Sequence, residues 1–172
     1  MRRFGNVPNL EKKYIRRPGV YAILTRGDQI LLTYQEEPDF EFQLPGGGVD
    51  KGENPIQALH REVLEETGWL ISKPRFLGVY KRFVYMPEYS MYAEKVCKIY
   101  HAIPSLKTSH TLEKGHSAHI MHSHLATRFL FGGDLHFLES YLENNLNYME
   151  NICLFRRAAL SYRLLFQLAH AV

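Results

Sequence analysis

The chain has 172 residues, 45% of them hydrophobic and 23% charged, which is enough to bury one compact core and too apolar for a disordered polymer. A formal net charge of +3 falls well short of a protein that coats nucleic acid; it suits attraction of small anions, with no stable nucleic-acid complex expected. Two cysteines, Cys97 and Cys153, lie far apart without metal-site spacing, which excludes a disulfide or zinc framework.

The first residues are polar and basic, with Lys12, Lys13, Arg16 and Arg17 and little periodicity, and residues 1–17 read as an N-terminal arm. No apolar h-region follows them, and no run approaches the roughly 20 apolar residues of a membrane helix, so a cytoplasmic protein without a membrane partner is expected. Strand signals begin at Pro18. Val20 to Thr25 and Gln29 to Tyr34 are β-rich and flank Arg26-Gly27-Asp28, which predicts a hairpin. Phe40 to Leu44 reads as a short strand running into Pro45 and Gly46, Gly47 and Gly48.

A helix is predicted next. Asn54 suits the N-cap, Pro55 the first helical position and Gln57 a capping-box partner, while Gly68 is placed to stop it. Two longer β-type segments follow, about Arg75 to Tyr85 and Ala93 to Ala102, with Met86-Pro87-Glu88 as the loop between them. Pro104 to Gly115 is the least patterned internal stretch, and His116 to Met121 predicts a last strand. Helical patterns cover Ser123 to Phe131 and Asp134 to Glu143. Residues 18–146 are expected to form one domain. Residues 147–172 read as a C-terminal helical extension whose stripe of Ile152, Phe155, Ala159, Tyr162 and Phe166 packs on its own domain or pairs two copies as a homodimer.

The chemistry concentrates between Gly47 and Trp69. On a 3.6-residue helix Glu62, Glu65 and Glu66 share one face. Ile56, Leu59 and Val63 form a neighbouring apolar stripe that can dock on a sheet, and Ala58, one turn before Glu62, leaves space over the carboxylates. Like charges at this spacing repel by a few tenths of a kcal/mol per pair, roughly, and by far more when buried together. A hard divalent cation relieves that repulsion, with Mg²⁺ favoured and Mn²⁺ acceptable. The preceding glycines offer backbone beside a helix N-terminus, which favours phosphate.

This segment resembles the Nudix box, G-x5-E-x7-R-E-U-x-E-E-x-G-U with U a bulky apolar residue. Gly47, Glu53, Arg61, Glu62, Val63, Glu65, Glu66, Gly68 and Trp69 occupy its positions, and a tryptophan at the last one is the sole oddity. The resemblance implies an α/β fold, an α/β/α sandwich around a mixed sheet. It also implies a pyrophosphohydrolase that cuts the diphosphate linkage of a nucleoside diphosphate derivative: a dinucleoside polyphosphate, ADP-ribose or a nucleotide sugar. A nucleotide-sanitising pyrophosphohydrolase and a non-catalytic nucleotide-binding domain are the alternatives. Carried over residue by residue, the metal ligands would be Glu53, Glu62, Glu65 and Glu66, and Arg61 would orient a carboxylate. Gly46, Gly47 and Gly48 would line the diphosphate. The base would be Glu62, Glu66 or, from a later loop, Glu113. Outside the box, Tyr85 is the candidate to stack on a base and Arg82 to meet phosphate. Six histidines (101, 110, 116, 119, 122 and 124) crowd one region without metal-motif spacing, and His116 and His119 would face opposite sides of a strand.

Overall fold

The computed structural model describes residues 1–36, 40–108 and 113–145, apart from the side chain at position 88. Its contacts divide the chain into two units, Met1–Leu138 and Glu139–Val172. In the second, residues 139–145 are helical, and the predicted helix from Tyr148 lies outside the described residues.

The first unit is built on a mixed sheet. Its strands are β1 (Arg2–Arg3), β2 (Tyr14–Arg26), β3 (Gln29–Gln35), β4 (Glu41–Gln43), β5 (Gly46–Gly48), β6 (Trp69–Met86), β7 (Met91–Lys107) and β8 (His116–His122). They run in the order β1-β6-β7-β2-β3-β4, with β5 added to β2 and β8 added to β3. β1 on β6 and β2 on β7 are parallel and the other pairs antiparallel. The β2–β3 hairpin matches expectation, with Gly27 at φ 65 in its turn.

Strands are longer than their local patterns suggested. β2 starts at Tyr14 because Tyr14 to Arg17 pair with Tyr92 to Lys95, so the basic segment before Pro18 is strand over its last four residues. β6 starts at Trp69 and passes Lys73 and Pro74 through register shifts between Ser72 and Arg75. β7 continues to Lys107, into the stretch that carried no pattern. In each case the partner strand supplies backbone hydrogen bonds that propensity alone did not.

Helix α1 (Pro55–Thr67) forms as its caps require. The Asn54 side chain accepts a 2.8 Å hydrogen bond from the Ile56 amide, and Gly68, at φ 73, donates its own amide to Leu64 at 2.8 Å. Its stripe of Ala58, Leu59 and Val63 is fully buried against Val20, Ala22, Leu24 and Ala102. Burying each large side chain contributes about 1.5–3 kcal/mol. Ala58 belongs to this core and does not open space over the carboxylates. The opposite sheet face presents Tyr21, Ile23, Ile30, Leu32, Cys97 and Ile99, all buried. Leu130 and Leu138 are buried too, and a Cβ at Gly78 would stand 2.6 Å from the Phe137 ring, so the segment around Phe137 lies directly on β6. Helix α2 (Ser123–Ala126) ends five residues before its predicted limit, in a turn, and the following helix covers 132–145. No described helix is long and apolar enough to cross a membrane.

Candidate active site

The sheet forks beside α1. Strand β2 pairs with β3 only over Leu24 to Arg26, and with β5 over Gly19 to Tyr21. The glycine strand therefore fills a gap that β3 has left. Only glycine fits there: Gly46 has φ 143 and a Cβ on it would sit 2.6 Å from Tyr21 Cα, while a Cβ on Gly47 would strike the Glu62 carboxylate, 2.6 Å from Cδ. The last turn of α1 stands over this gap.

Two groups of acids result. In the first, Arg61 gathers three carboxylates. Its Nε and Nη2 donate to the two oxygens of Glu53 at 3.0 and 2.9 Å, a bidentate fork, and Nη1 donates to Glu62 at 2.8 Å and Glu65 at 3.1 Å. Nη2 also donates to the Gly48 carbonyl at 3.1 Å, tying the helix to the glycine strand. The hydrogen bond from Arg61 holds Glu53 below the usual carboxylate range. Burial raises Glu62 above it, against the pull of Arg61.

The second group is more enclosed. The Glu66 side chain is 7% exposed, and one oxygen accepts from the Gly46 amide at 3.0 Å. Burial drives its pKa well above the normal value; the Gly46 amide opposes this, and Glu113 and Glu62 add to it. Glu113 reaches Glu66 because its amide donates to the Glu65 carbonyl at 3.0 Å, against the end of α1. His116, the first residue of β8, brings Nε2 to 3.9 Å from Glu66 and Nδ1 to 3.8 Å from Glu113. Its Nδ1 is buried with no hydrogen-bond partner among the described residues. Ligand atoms of Glu66, Glu113 and His116 all lie within 4.8 Å of one another. A buried carboxylate whose charge is penalised, beside a carboxylate and an imidazole nitrogen that lacks a partner, has the donor chemistry to take a divalent cation.

The site thus joins Glu53, Arg61, Glu62, Glu65, Glu66, Glu113 and Gly46 to Gly48. It also contains His116, which sequence spacing did not separate from the other histidines. Of those, His101 bonds Thr25 at 2.9 Å, His119 packs on Phe42, and His122 and His124 stack on each other, while His110 lies outside the described residues. Arg82 lies on the sheet face away from α1, aligned with Tyr80 and Cys97. Tyr85 is 52% exposed, pairs with Tyr92, and stands five ladder positions along β6 from Tyr80, whose row contains Gly19 and Gly48. The structure does not bring Tyr85 to the glycine strand.

A family model, the NUDIX domain, matches residues 15–124. The chain is 38% identical over 80 residues to an RNA pyrophosphohydrolase of Helicobacter pylori strain G27, covering 44% of this chain and 49% of that one. It is 37% identical over 70 residues to a putative 8-oxo-dGTP diphosphatase of Bacillus subtilis strain 168, covering 41% and 46%. The match thus spans about half the length of these curated relatives. Among solved structures, a MutT NUDIX hydrolase of Burkholderia pseudomallei superposes with a TM-score of 0.56 at 23% identity, over 73% of this chain and 97% of that one. A NUDIX hydrolase of Nitrosomonas europaea gives 0.57 at 19% identity, over 76% and 90%. Both have the same α/β fold.

Proposed function

The chain belongs to the Nudix family, and on that premise we propose that it is a Mg²⁺-dependent pyrophosphohydrolase that uses water to cut the diphosphate linkage of a nucleotide-like substrate. The observation that carries this reading is the buried, cation-seeking Glu66 with Glu113 and His116 around it. A binding module gains nothing from such a group, because an ionised carboxylate held away from water costs stability unless a cation neutralises it.

In this reading Glu66 holds the metal, with Glu62, Glu65 and Glu53 in support and His116 as a nitrogen donor that makes Mn²⁺ an acceptable substitute. A divalent ion bound there polarises phosphoryl oxygens and acidifies water. Arg61 positions the carboxylates, a task for its planar fork. The amides and carbonyls of Gly46 to Gly48 line the diphosphate. Glu113, 45% exposed, is open to solvent and so able to exchange a proton with water, which suits a general base. The relatives' described activities, on RNA and on 8-oxo-dGTP, favour a nucleotide or nucleotide-ended substrate and keep a sanitising role as the second reading. A homodimer through residues 148–169 remains a proposal on sequence grounds alone.

Phosphate and pyrophosphate release should be measured with Mg²⁺ on ADP-ribose, a dinucleoside tetraphosphate, nucleoside triphosphates, a nucleotide sugar and a 5′-triphosphorylated RNA. Release from at least one, abolished by chelation, is expected. Silence on every probe from protein shown to bind Mg²⁺ would leave only a binding role.

A further inference from the structure

Beside the end of α1, on the sheet face that the helix covers, lies a cavity of about 410 Å³. Leu24 and Leu31, paired across the β2–β3 hairpin, form its buried floor. Trp69 and Pro104 line it from β6 and β7, and Ile120, the ladder partner of Leu31, lines it from β8. Ile120 is 55% exposed, so the floor of buried leucines opens to solvent beside an apolar rim. The volume falls within the about 300–1,000 Å³ of small-ligand sites. Ile120 lies four residues along β8 from His116, about 13 Å, so the cavity is separate from the Glu66, Glu113 and His116 group.

The walls and the rim differ in chemistry. Trp69 is half-buried and packs on the same core as Leu24 and Leu31. The tryptophan that departs from the usual Nudix box is thus a wall of this cavity. The rigid rings of Trp69 and Pro104 favour a flat ring, which keeps contact over its whole face at little entropic cost. At the rim, Arg26 is the charged residue of the lining, and no acid joins it. Arg26 follows Leu24 by two positions on β2, so both point to the α1 face. Among the described residues its guanidinium enters no hydrogen bond or ion pair, and neither does the Trp69 indole N–H. Asp28, in the same turn, does not line the cavity, and its carboxylate lies 3.5 Å from His122. Lys107, the ladder partner of Trp69, adds a second positive charge on that side. An unpaired planar cation above an apolar slot suits a carboxylate on the ring's edge.

We propose that the Trp69–Arg26 cavity binds a small aromatic carboxylate. The flat apolar ring lies against Trp69, Pro104 and the Leu24–Leu31 floor, and the carboxylate meets Arg26 at the mouth. Such a ligand has no diphosphate to cut and sits apart from the metal group, so this is a second site, and it does not depend on the hydrolase reading.

Trp69 is the one tryptophan of the chain, so its indole N–H gives a single cross-peak in a ¹H–¹⁵N correlation spectrum and reports the cavity directly. The full-length ¹⁵N-labelled chain, in EDTA, is titrated with 2-naphthoate, 2-naphthylmethanol and AMP. 2-Naphthoate should move the indole peak saturably and bind about threefold or more tighter than the alcohol, the size of effect an exposed charge pair supplies. Arg26→Gln should weaken 2-naphthoate about threefold or more and leave the alcohol within about twofold. Ile120→Ser should weaken both, through lost apolar contact. Arg26 and Ile120 are exposed, so neither change threatens the fold. Glu66→Gln should leave 2-naphthoate binding within about twofold, whatever the fate of the hydrolase reading. An indole peak that 2-naphthoate does not move saturably, equal affinity for acid and alcohol, or an Arg26→Gln variant that binds 2-naphthoate like the parent overturns the inference. So does tighter binding of AMP, which assigns a nucleotide instead, or loss of 2-naphthoate binding in Glu66→Gln, which merges the cavity with the metal group.

Discussion

The acids gathered around α1 are wired in two different ways. In one group, Glu53, Glu62 and Glu65 converge on Arg61, a built-in cation that already offsets their repulsion. In the other, one turn on from Glu62, Glu66 is buried and meets an amide, a second carboxylate and a histidine among the described residues. Identical side chains on one helix therefore have opposite needs. In the proposed reading the Arg61 group is a frame that positions the supporting carboxylates, and the Glu66 group is the one that calls for an added charge.

Replacing Glu66 by Gln is the most direct way to break this contrast. Turnover should fall by about 10²–10⁴-fold with the circular dichroism spectrum unchanged. A rate within tenfold of the parent sinks the assignment of Glu66. Arg61→Lys attacks the frame instead: it keeps the charge and loses the fork, so activity and metal affinity should drop about 10–100-fold. An unchanged variant means that the frame positions nothing.

Metal addition separates the two groups thermodynamically. At about a hundred times its dissociation constant, Mg²⁺ should stabilise the parent by about 2.7 kcal/mol, seen as a raised thermal midpoint. Glu66→Gln should lose most of that rise and Glu53→Gln should keep most of it. Equal losses would dissolve the distinction.

The smallest effect is on pH. Burial raises the folded pKa of Glu66 above its unfolded value, so the folded state holds the proton more tightly. That contribution is complete below the unfolded pKa and disappears as pH rises through the folded one. Metal-free protein should therefore lose thermal stability as pH rises above the ordinary carboxylate range. Melting curves across that rise should show a smaller loss in Glu66→Gln, and parallel curves would mean that Glu66 is solvated.

Much of the frame was legible in the residues. The spacing of Glu62, Glu65 and Glu66, the Asn54 and Gly68 caps and the Leu59–Val63 stripe are all set within one helix, where contacts lie three or four positions apart. The β2–β3 hairpin was readable for the same reason. The parallel pairing of Tyr14 to Arg17 with β7 was not, because its partner lies 78 residues away in Tyr92 to Lys95. Glu113 was singled out only as a loop acid beside the last strand. His116 was one of a crowd until β8 paired with β3 and set it against Glu66.

Sequence alone thus determined the carboxylate helix, its cap chemistry and the glycine run before it, since each is a property of short-range geometry. Tertiary structure alone decided which carboxylate is buried, that a histidine joins it, and that Arg26, Trp69 and Ile120 line one cavity. Those facts depend on strand register and on the fork in the sheet, which distant segments fix together and no local spacing encodes.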